Sequence, residues 1–161
     1  MTIESDKILF RQAKLEDKAA LLALEQAVVD AERPYNSQIK PDAHYYDLDD
    51  LLQSENASVQ VAEYKNDIIA TGYVQIRPSK QSLTHVNHGY LGFMFVSPAF
   101  RGQELNKKIM QHLMSWAESK DVYDFYLDVY NDNQAAINAY QKLGFEPSLL
   151  EMKVNTKNNS R

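Results

Sequence analysis

The sequence has no cysteine among its 161 residues. Disulfides, zinc sites with thiolate ligands and a cysteine nucleophile are therefore excluded. It also lacks an apolar run of the roughly 20 residues that a membrane-spanning helix needs. Residues 1–7 lack the basic flank and apolar stretch of a signal peptide. We therefore expect a cytoplasmic protein without a membrane partner.

Positive charge is scarce as well, with 17 Lys and Arg against 22 Asp and Glu and a formal net charge of −5. Nucleic-acid-binding domains usually carry a basic face, so the composition argues against a nucleic-acid partner. An acidic surface is compatible with a cationic small substrate, although many acidic proteins are simply soluble. The length predicts one domain, which we place at residues 1–154, with 155–161 as a disordered tail.

Hydrophobic periodicity predicts alternating strands and helices without an internal repeat. Strands are predicted at 8–13, 58–64, 68–76, 89–96 and 122–129, with one or two more within 145–154. Helices are predicted at 15–29, 47–53, 102–119 and 131–143. This order predicts a mixed α/β (α+β) domain in which four helices flank a twisted sheet of six to seven strands.

The segment from Val96 to Asn106 reads Val-Ser-Pro-Ala-Phe-Arg-Gly-Gln-Glu-Leu-Asn. It combines the end of a strand, a tight turn and the first residues of an amphipathic helix. A helix N-terminus presents free backbone N–H groups and the positive end of the helix dipole, which together bind anions such as phosphate. The segment therefore predicts a phosphate-binding loop.

A second segment, Asn133-x-x-Ala136-x-x-x-Tyr140-x-x-x-Gly144-Phe145, predicts a helix with a single tyrosine on its inner face. Asn131 is the expected N-cap of this helix, and Gly144 is the expected residue after its last turn. Together the two segments indicate a cofactor anchored by its phosphates, with chemistry close by. The chain is therefore expected to be an enzyme.

These segments, in this order of elements, resemble the GCN5-related N-acetyltransferase (GNAT) superfamily. In that family the pattern Arg/Gln-x-x-Gly-x-Gly/Ala cradles the pyrophosphate of acetyl-CoA. The matching residues here are Arg101, Glu104 and Asn106, so both small positions are altered. Glycine lets the backbone approach the phosphates, whereas Glu104 adds a side chain of like charge. We therefore expect cofactor binding to be weakened but not abolished.

The resemblance implies a mostly antiparallel sheet and acetyl-CoA as co-substrate. The pyrophosphate would bind the backbone N–H groups of residues 102–106. The pantetheine arm would pair with the strand that ends at Phe95-Val96, and Asn133 matches a residue that contacts this arm. The full set of expected cofactor-binding residues is Phe95, Val96, Arg101, Gly102, Gln103, Glu104, Leu105, Asn106, Asn133 and Tyr140.

Three residues are the candidates for catalysis: Tyr140, Tyr90 and His88. By resemblance, Tyr140 protonates the leaving thiolate, as a phenol with pKa ≈ 10 can do, whereas its helical spacing alone favours simple packing. Tyr90 and His88 are candidate general bases, with Glu63 as a third, and a chain of waters could replace all of them. No metal site is expected, because His85 and His88 lack further ligands.

The predicted function is transfer of an acetyl group from acetyl-CoA to a primary amine on a small molecule or peptide. The absence of cysteine favours direct attack by the amine within a ternary complex. The main alternative is a CoA-binding or small-molecule-sensing domain with little catalysis, and a purely structural interaction domain comes third. Members of this family are often dimers, so a homodimer is also among the expectations.

Acidic residues cluster at 47–50, shortly after several tyrosines. The cluster could line a pocket for a polyamine-like substrate, and its members are Asp47, Asp49, Asp50, Tyr35, Tyr45 and Tyr46. A solvated helix start explains the same acids, because they suit the helix dipole, and this explanation is favoured. By resemblance, specificity for the acceptor lies in the loops 30–46 and 77–88.

Overall fold

The computed structural model describes residues 2–157, which fall into two compact units divided between Asp128 and Val129. The first unit contains β1 (Leu9–Gln12), α1 (Lys18–Glu32), α2 (Leu48–Gln53), β2 (Ala57–Tyr64), β3 (Asp67–Pro78), β4 (Asn87–Val96), α3 (Leu105–Glu118) and β5 (Phe125–Tyr126). The second unit contains α4 (Gln134–Lys142). Residues 158–161 of the predicted tail lie outside the described residues.

One sheet has the strand order β1-β2-β3-β4-β5. The first four strands pair antiparallel, and only β5 runs parallel to its neighbour, which confirms the mostly antiparallel sheet. The prediction of six to seven strands is wrong, because the sheet formed by the described residues has five. Residues 145–154 have an apolar pattern suited to a strand, but no described strand provides them with a hydrogen-bonding partner.

The hairpin between β2 and β3 is confirmed. Lys65 and Asn66 connect the two strands and have φ angles of 49° and 70°. Two successive residues with positive φ are typical of the tight turns whose twist matches that of the flanking strands. The turn therefore sets the register in which Tyr64 pairs with Asp67.

Helices cover both faces of the sheet. On one face, α1 and α2 share a buried cluster with Val61, Tyr73 and Phe93 of the strands. On the opposite face, Ile109 of α3 lies so close to Gly72 that a Cβ there would come within 3.1 Å of it. Neighbouring residues of a strand point to opposite faces, so Gly72 faces α3 whereas Tyr73 packs with α1 and α2.

The second unit is built around α4. The Asn133 side chain accepts a hydrogen bond from the Ala136 N–H at 3.2 Å, so Asn133 is the N-cap and the prediction of Asn131 is wrong. Gly144 has φ +99° directly after the helix, as predicted. Tyr140 and Phe145 make an edge-to-face ring contact with centroids 5.9 Å apart.

Within the described residues, no helix combines the length and the apolar character needed to cross a membrane.

Candidate active site

The strand β4 is paired along one edge from end to end, but along the other edge only near its start. Its contact with β3 runs from Asn87 to Val96, whereas β5 pairs with it only at Gly89 and Tyr90. Beyond Tyr90 no described strand occupies the other edge. The sheet therefore opens at this point, and the second half of β4 offers backbone N–H and C=O groups to an extended ligand.

A bulge lies in the middle of this open stretch. Gly92 pairs with Tyr73 and Phe95 with Thr71, so two residues of β4 lie opposite one residue of β3. Phe93, within the bulge, has φ +55°, which is uncommon for a residue other than glycine. Its ring is buried and stacks on Tyr46 at 4.5 Å and 21°. Bulges re-aim backbone groups, and they are frequent beside active sites.

The segment after β4 forms a cradle of backbone N–H groups. Gly102 has φ +87° and Glu104 φ +58°, and α3 begins at Leu105. In the part of the chain that the structure describes, the N–H groups of residues 102–107 find no acceptor. Leu105 is buried, so its side chain anchors the loop while its backbone faces the cradle. This geometry suits an anion such as a phosphate.

Glu104 stands where the family pattern has glycine, and its backbone is left-handed, a region that glycine adopts most readily. Its left-handed backbone costs a residue with a Cβ about 1–2 kcal/mol. Gln103 is held from outside the loop, because the Ser5 hydroxyl donates to its side-chain oxygen at 2.9 Å.

Tyr90 lies where β4 and β5 part. Its hydroxyl donates to Asp128 Oδ2 at 2.8 Å, and the Arg77 guanidinium lies 4.0 Å from the centre of its ring. Burial raises the pKa of Tyr90, and the hydrogen bond to Asp128 raises it further. Tyr90 therefore stays protonated at neutral pH. The sequence analysis missed Asp128, which is one of two acids within the strand predicted at 122–129.

His88 takes part in a chain of polar side chains. Ser79 Oγ lies 3.0 Å from His88 Nδ1 and 2.7 Å from His85 Nδ1, and His85 Nε2 lies 3.0 Å from the Tyr126 hydroxyl. Burial lowers the pKa of His88, and the charges of His85 and Arg77 lower it further. A neutral imidazole at pH 7 can accept a proton.

Glu63, the third candidate base, lies away from this group. It is on β2, which β3 separates from β4, and it pairs with Arg11 at 3.3 Å. Its contacts therefore serve the β1–β2 edge.

A pocket of about 200 Å³ lies close to Tyr90, because Arg77, which contacts the Tyr90 ring, is one of its lining residues. Its lining residues are Tyr45, Tyr46, Asp47, Asp50, Leu51, Tyr73, Gln75 and Arg77. Asp47 also caps α2 by accepting a hydrogen bond from the Asp50 N–H at 3.1 Å. Asp47 and Asp50 therefore line the pocket and also belong to the N-terminal turn of α2. Asp49 points elsewhere and pairs with Lys18 at 2.9 Å.

The first unit thus brings together most of the predicted site. Phe95 and Val96 end the open strand, residues 101–106 form the cradle, and His88 and Tyr90 lie on the same strand. Asn133 and Tyr140 belong to the second unit, where they occupy the N-cap and the last turn of α4.

A family model described as the acetyltransferase (GNAT) family matches residues 25–145, well over half of the chain. The chain belongs to the GNAT family of acetyltransferases. A comparison of this GNAT sequence with curated proteins gives no match.

Several solved structures share the fold. A predicted acetyltransferase from Clostridium acetobutylicum, solved with acetyl-CoA, is 19% identical with a TM-score of 0.75, and the match covers 96% of this chain and 99% of that one. Aminoglycoside N-acetyltransferase AAC(6')-Iy, solved with CoA, is 18% identical with a TM-score of 0.72, covering 92% and 98%. Glucosamine-6-phosphate N-acetyltransferase from Arabidopsis thaliana is 23% identical with a TM-score of 0.66, covering 92% and 98%. These likenesses establish the GNAT fold.

Proposed function

We propose that this GNAT protein transfers the acetyl group of acetyl-CoA to a primary amine by direct attack in a ternary complex. The observation that carries the proposal is that two features follow one another directly in the chain. An open, bulged strand edge leads directly into a cradle of backbone N–H groups, which matches a ligand with an extended arm and a pyrophosphate.

The cradle fits the pyrophosphate of CoA. A Cβ built on Gly102 meets nothing within 4 Å, so the space beside its backbone is open to a ligand. The unpaired N–H groups of residues 102–106 would donate to phosphate oxygens, and the exposed Arg101 adds positive charge. The edge at Phe95-Val96 would hold the pantetheine arm. When bound, acetyl-CoA supplies an acetyl group already activated as a thioester.

Proton transfer is assigned to the group around β4. The attacking amine must lose a proton, and a neutral His88 is a better acceptor than Tyr90, whose raised pKa keeps it protonated. A backbone N–H from the open edge of β4 would stabilise negative charge on the carbonyl oxygen. Tyr140 would return a proton to the thiolate, as the resemblance of its helix suggests.

The pocket lined by Asp47 and Asp50 is the proposed acceptor site. The carboxylates of Asp47 and Asp50 outnumber the one cationic lining residue, Arg77, so they suit an ammonium group, and the net charge of −5 attracts a cation. Its volume of about 200 Å³ has room for a small amine or for one side chain of a larger acceptor. Two proteins of the same fold are named for small amines, an aminoglycoside and glucosamine 6-phosphate. We therefore propose a small cationic amine as the acceptor.

Calorimetric titration of acetyl-CoA into the purified protein, with desulfo-CoA as the control, tests the cofactor half. A panel of diamines, amino sugars and arylalkylamines then tests the acceptor half through release of free thiol. Micromolar binding with turnover of a cationic amine supports the enzyme. Binding without turnover on a broad panel supports the CoA-binding sensor instead, and no binding at millimolar acetyl-CoA overturns both.

A further inference from the structure

A carboxylate with no role in the proposed chemistry is completely buried beneath the acceptor pocket. Glu25 of α1 has 0% of its surface exposed. Its Oε2 accepts the backbone N–H groups of Tyr45 and Tyr46 at 2.8 and 2.9 Å. Its Oε1 lies 2.9 Å from Nδ1 of His44, which is mostly exposed.

All the partners of Glu25 lie in one irregular segment. Residues 43–47 have no helix or strand of their own. Two more side chains hold this region, because Gln26 of α1 donates to the Ala43 carbonyl at 3.2 Å, and Arg33, directly after α1, donates to the Pro41 carbonyl at 3.1 Å. The loop is therefore fixed to side chains of α1 and of the residue after it, and Glu25 forms the most buried of these attachments.

The segment that Glu25 holds shapes two parts of the site. Tyr45 and Tyr46 line the acceptor pocket. The Tyr46 ring also stacks on Phe93, the residue with positive φ in the β4 bulge, and meets Tyr73 edge to face at 5.8 Å. A shift of the loop would therefore move the pocket wall and loosen the packing that keeps the bulge in place.

Core packing alone does not account for a carboxylate here. Burying a charge is costly unless hydrogen bonds compensate it, and an apolar side chain of similar size would fill the same space. An apolar residue would, however, leave the Tyr45 and Tyr46 N–H groups buried without an acceptor. The carboxylate thus does what a hydrophobic residue cannot, which is to fix the path of a loop that has no regular structure.

We propose that Glu25 is a positioning residue for the amine acceptor, which it serves by fixing the Tyr45–Tyr46 wall of the pocket. This inference rests on the proposed function, because it takes the pocket as the acceptor site. Glu25 makes no contact with the reacting atoms and acts only through the loop.

The test compares wild type with three variants. Glu25→Gln keeps the size and one oxygen, but it removes the negative charge and replaces the other oxygen by an NH2 group, which can only donate. His44→Ala removes only the imidazole contact. Leu113→Val is the control, since Leu113 is fully buried on α3, on the other face of the sheet. The readouts are amide hydrogen exchange at Tyr45 and Tyr46, calorimetric binding of 1,4-diaminobutane, calorimetric binding of acetyl-CoA, and thiol release with the same diamine.

We expect Glu25→Gln to weaken binding of 1,4-diaminobutane about tenfold. The loop would lose roughly the free energy of one hydrogen bond to a charged group in the position that forms the pocket, and diamine binding would have to restore that position. Exchange at Tyr45 and Tyr46 should accelerate, and acetyl-CoA affinity should stay unchanged. His44→Ala should show a smaller shift in the same direction. Leu113→Val should lower the melting temperature and leave diamine binding as in wild type.

The outcomes separate this inference from the proposed function. If wild type binds the diamine but transfers no acetyl group to any amine, the proposed function fails and the role of Glu25 in the pocket stands. If Glu25→Gln binds the diamine as wild type does, or if wild type does not bind it, the positioning role is overturned. Equal effects of Glu25→Gln and Leu113→Val would also overturn it, since both would then act through stability alone.

Discussion

The cradle before α3 and the pocket beside residues 43–50 belong to the same unit, but they are built in different ways. The cradle is a single short segment whose ligands are backbone N–H groups. The pocket is assembled from side chains of a loop, of α2 and of β3, and it is supported from below by Glu25 of α1. One site depends on local geometry and the other on contacts that are distant in sequence.

This difference determines which substitutions each site tolerates. A backbone cradle survives changes of side chain as long as the φ and ψ angles survive, and Glu104 illustrates this by taking a left-handed conformation at a position where the family pattern has glycine. A side-chain pocket has no such tolerance, because each wall residue contributes its own chemistry. We therefore expect the cofactor to be general and the acceptor to be particular to this chain.

Tyr140 sharpens the comparison, because Tyr140→Phe removes only the hydroxyl proposed for proton transfer and keeps the ring that would contact the cofactor. We expect Tyr140→Phe to lower kcat about 100-fold, a typical contribution of a general acid. Acetyl-CoA affinity by calorimetry should be unchanged. Tyr123→Phe is the control, as the same substitution at an exposed tyrosine. Full turnover in Tyr140→Phe would end the acid role.

Gly102 tests whether the cradle depends on its backbone. With φ +87°, Gly102→Ala is expected to distort the loop and reduce acetyl-CoA affinity about tenfold, because a residue with a Cβ costs 1–2 kcal/mol there. Diamine binding in the pocket should not change. Gly144→Ala is matched, because Gly144 also has positive φ with open space around it, and it should lower stability alone. Equal losses of cofactor affinity in both variants would contradict the assignment.

Asp50 tests whether the pocket depends on side-chain charge. We expect Asp50→Asn to raise the KM for a cationic amine about threefold, since an exposed charge pair contributes less than ~1 kcal/mol, and the effect should shrink at high salt. Asp49→Asn removes the same charge from the next residue, which pairs with Lys18 outside the pocket, and should have no effect on KM. A neutral amine should be insensitive to both changes.

Glu104 should give the smallest effect, and in the opposite direction. Glu104→Gly relieves the left-handed strain and removes a carboxylate near the phosphates, so stability should rise by about 1 kcal/mol or less and acetyl-CoA affinity by a few-fold. Asp121→Gly provides the comparison, because Asp121 has φ 60° and lies outside the cradle. It should gain stability without gaining affinity. Unchanged affinity in Glu104→Gly would mean that the carboxylate points away from the ligand.

The sequence predicted the local parts of the molecule well. Periodicity and turn chemistry predicted the hairpin at Lys65-Asn66, the strand β4 and the turn into α3. Each of these depends only on residues that are close together in the chain. The strand predicted at 145–154 failed because a strand exists only where another strand pairs with it, which an apolar pattern cannot specify.

Residues whose role depends on a distant partner were harder to predict. Asp128 gains its importance from a hydrogen bond to Tyr90, which lies 38 residues away in the chain. In the sequence Glu25 is an ordinary helix residue. Its role becomes visible only in the structure, where it binds backbone N–H groups 20 and 21 residues away. The acids at 47–50 were recognised, but the sequence could not show that Asp50 faces a pocket and Asp49 faces Lys18.

The open edge of β4 also makes the tendency of this protein to self-associate depend on the concentration of its ligand. An unpaired strand edge can pair with an edge of another chain, which is a common start of aggregation. A bound pantetheine arm would occupy that edge, and a ligand that binds only the folded state raises its stability as its concentration rises. Acetyl-CoA would then be a folding aid as well as a reactant, and the protein would be most prone to self-association where the metabolite is scarce.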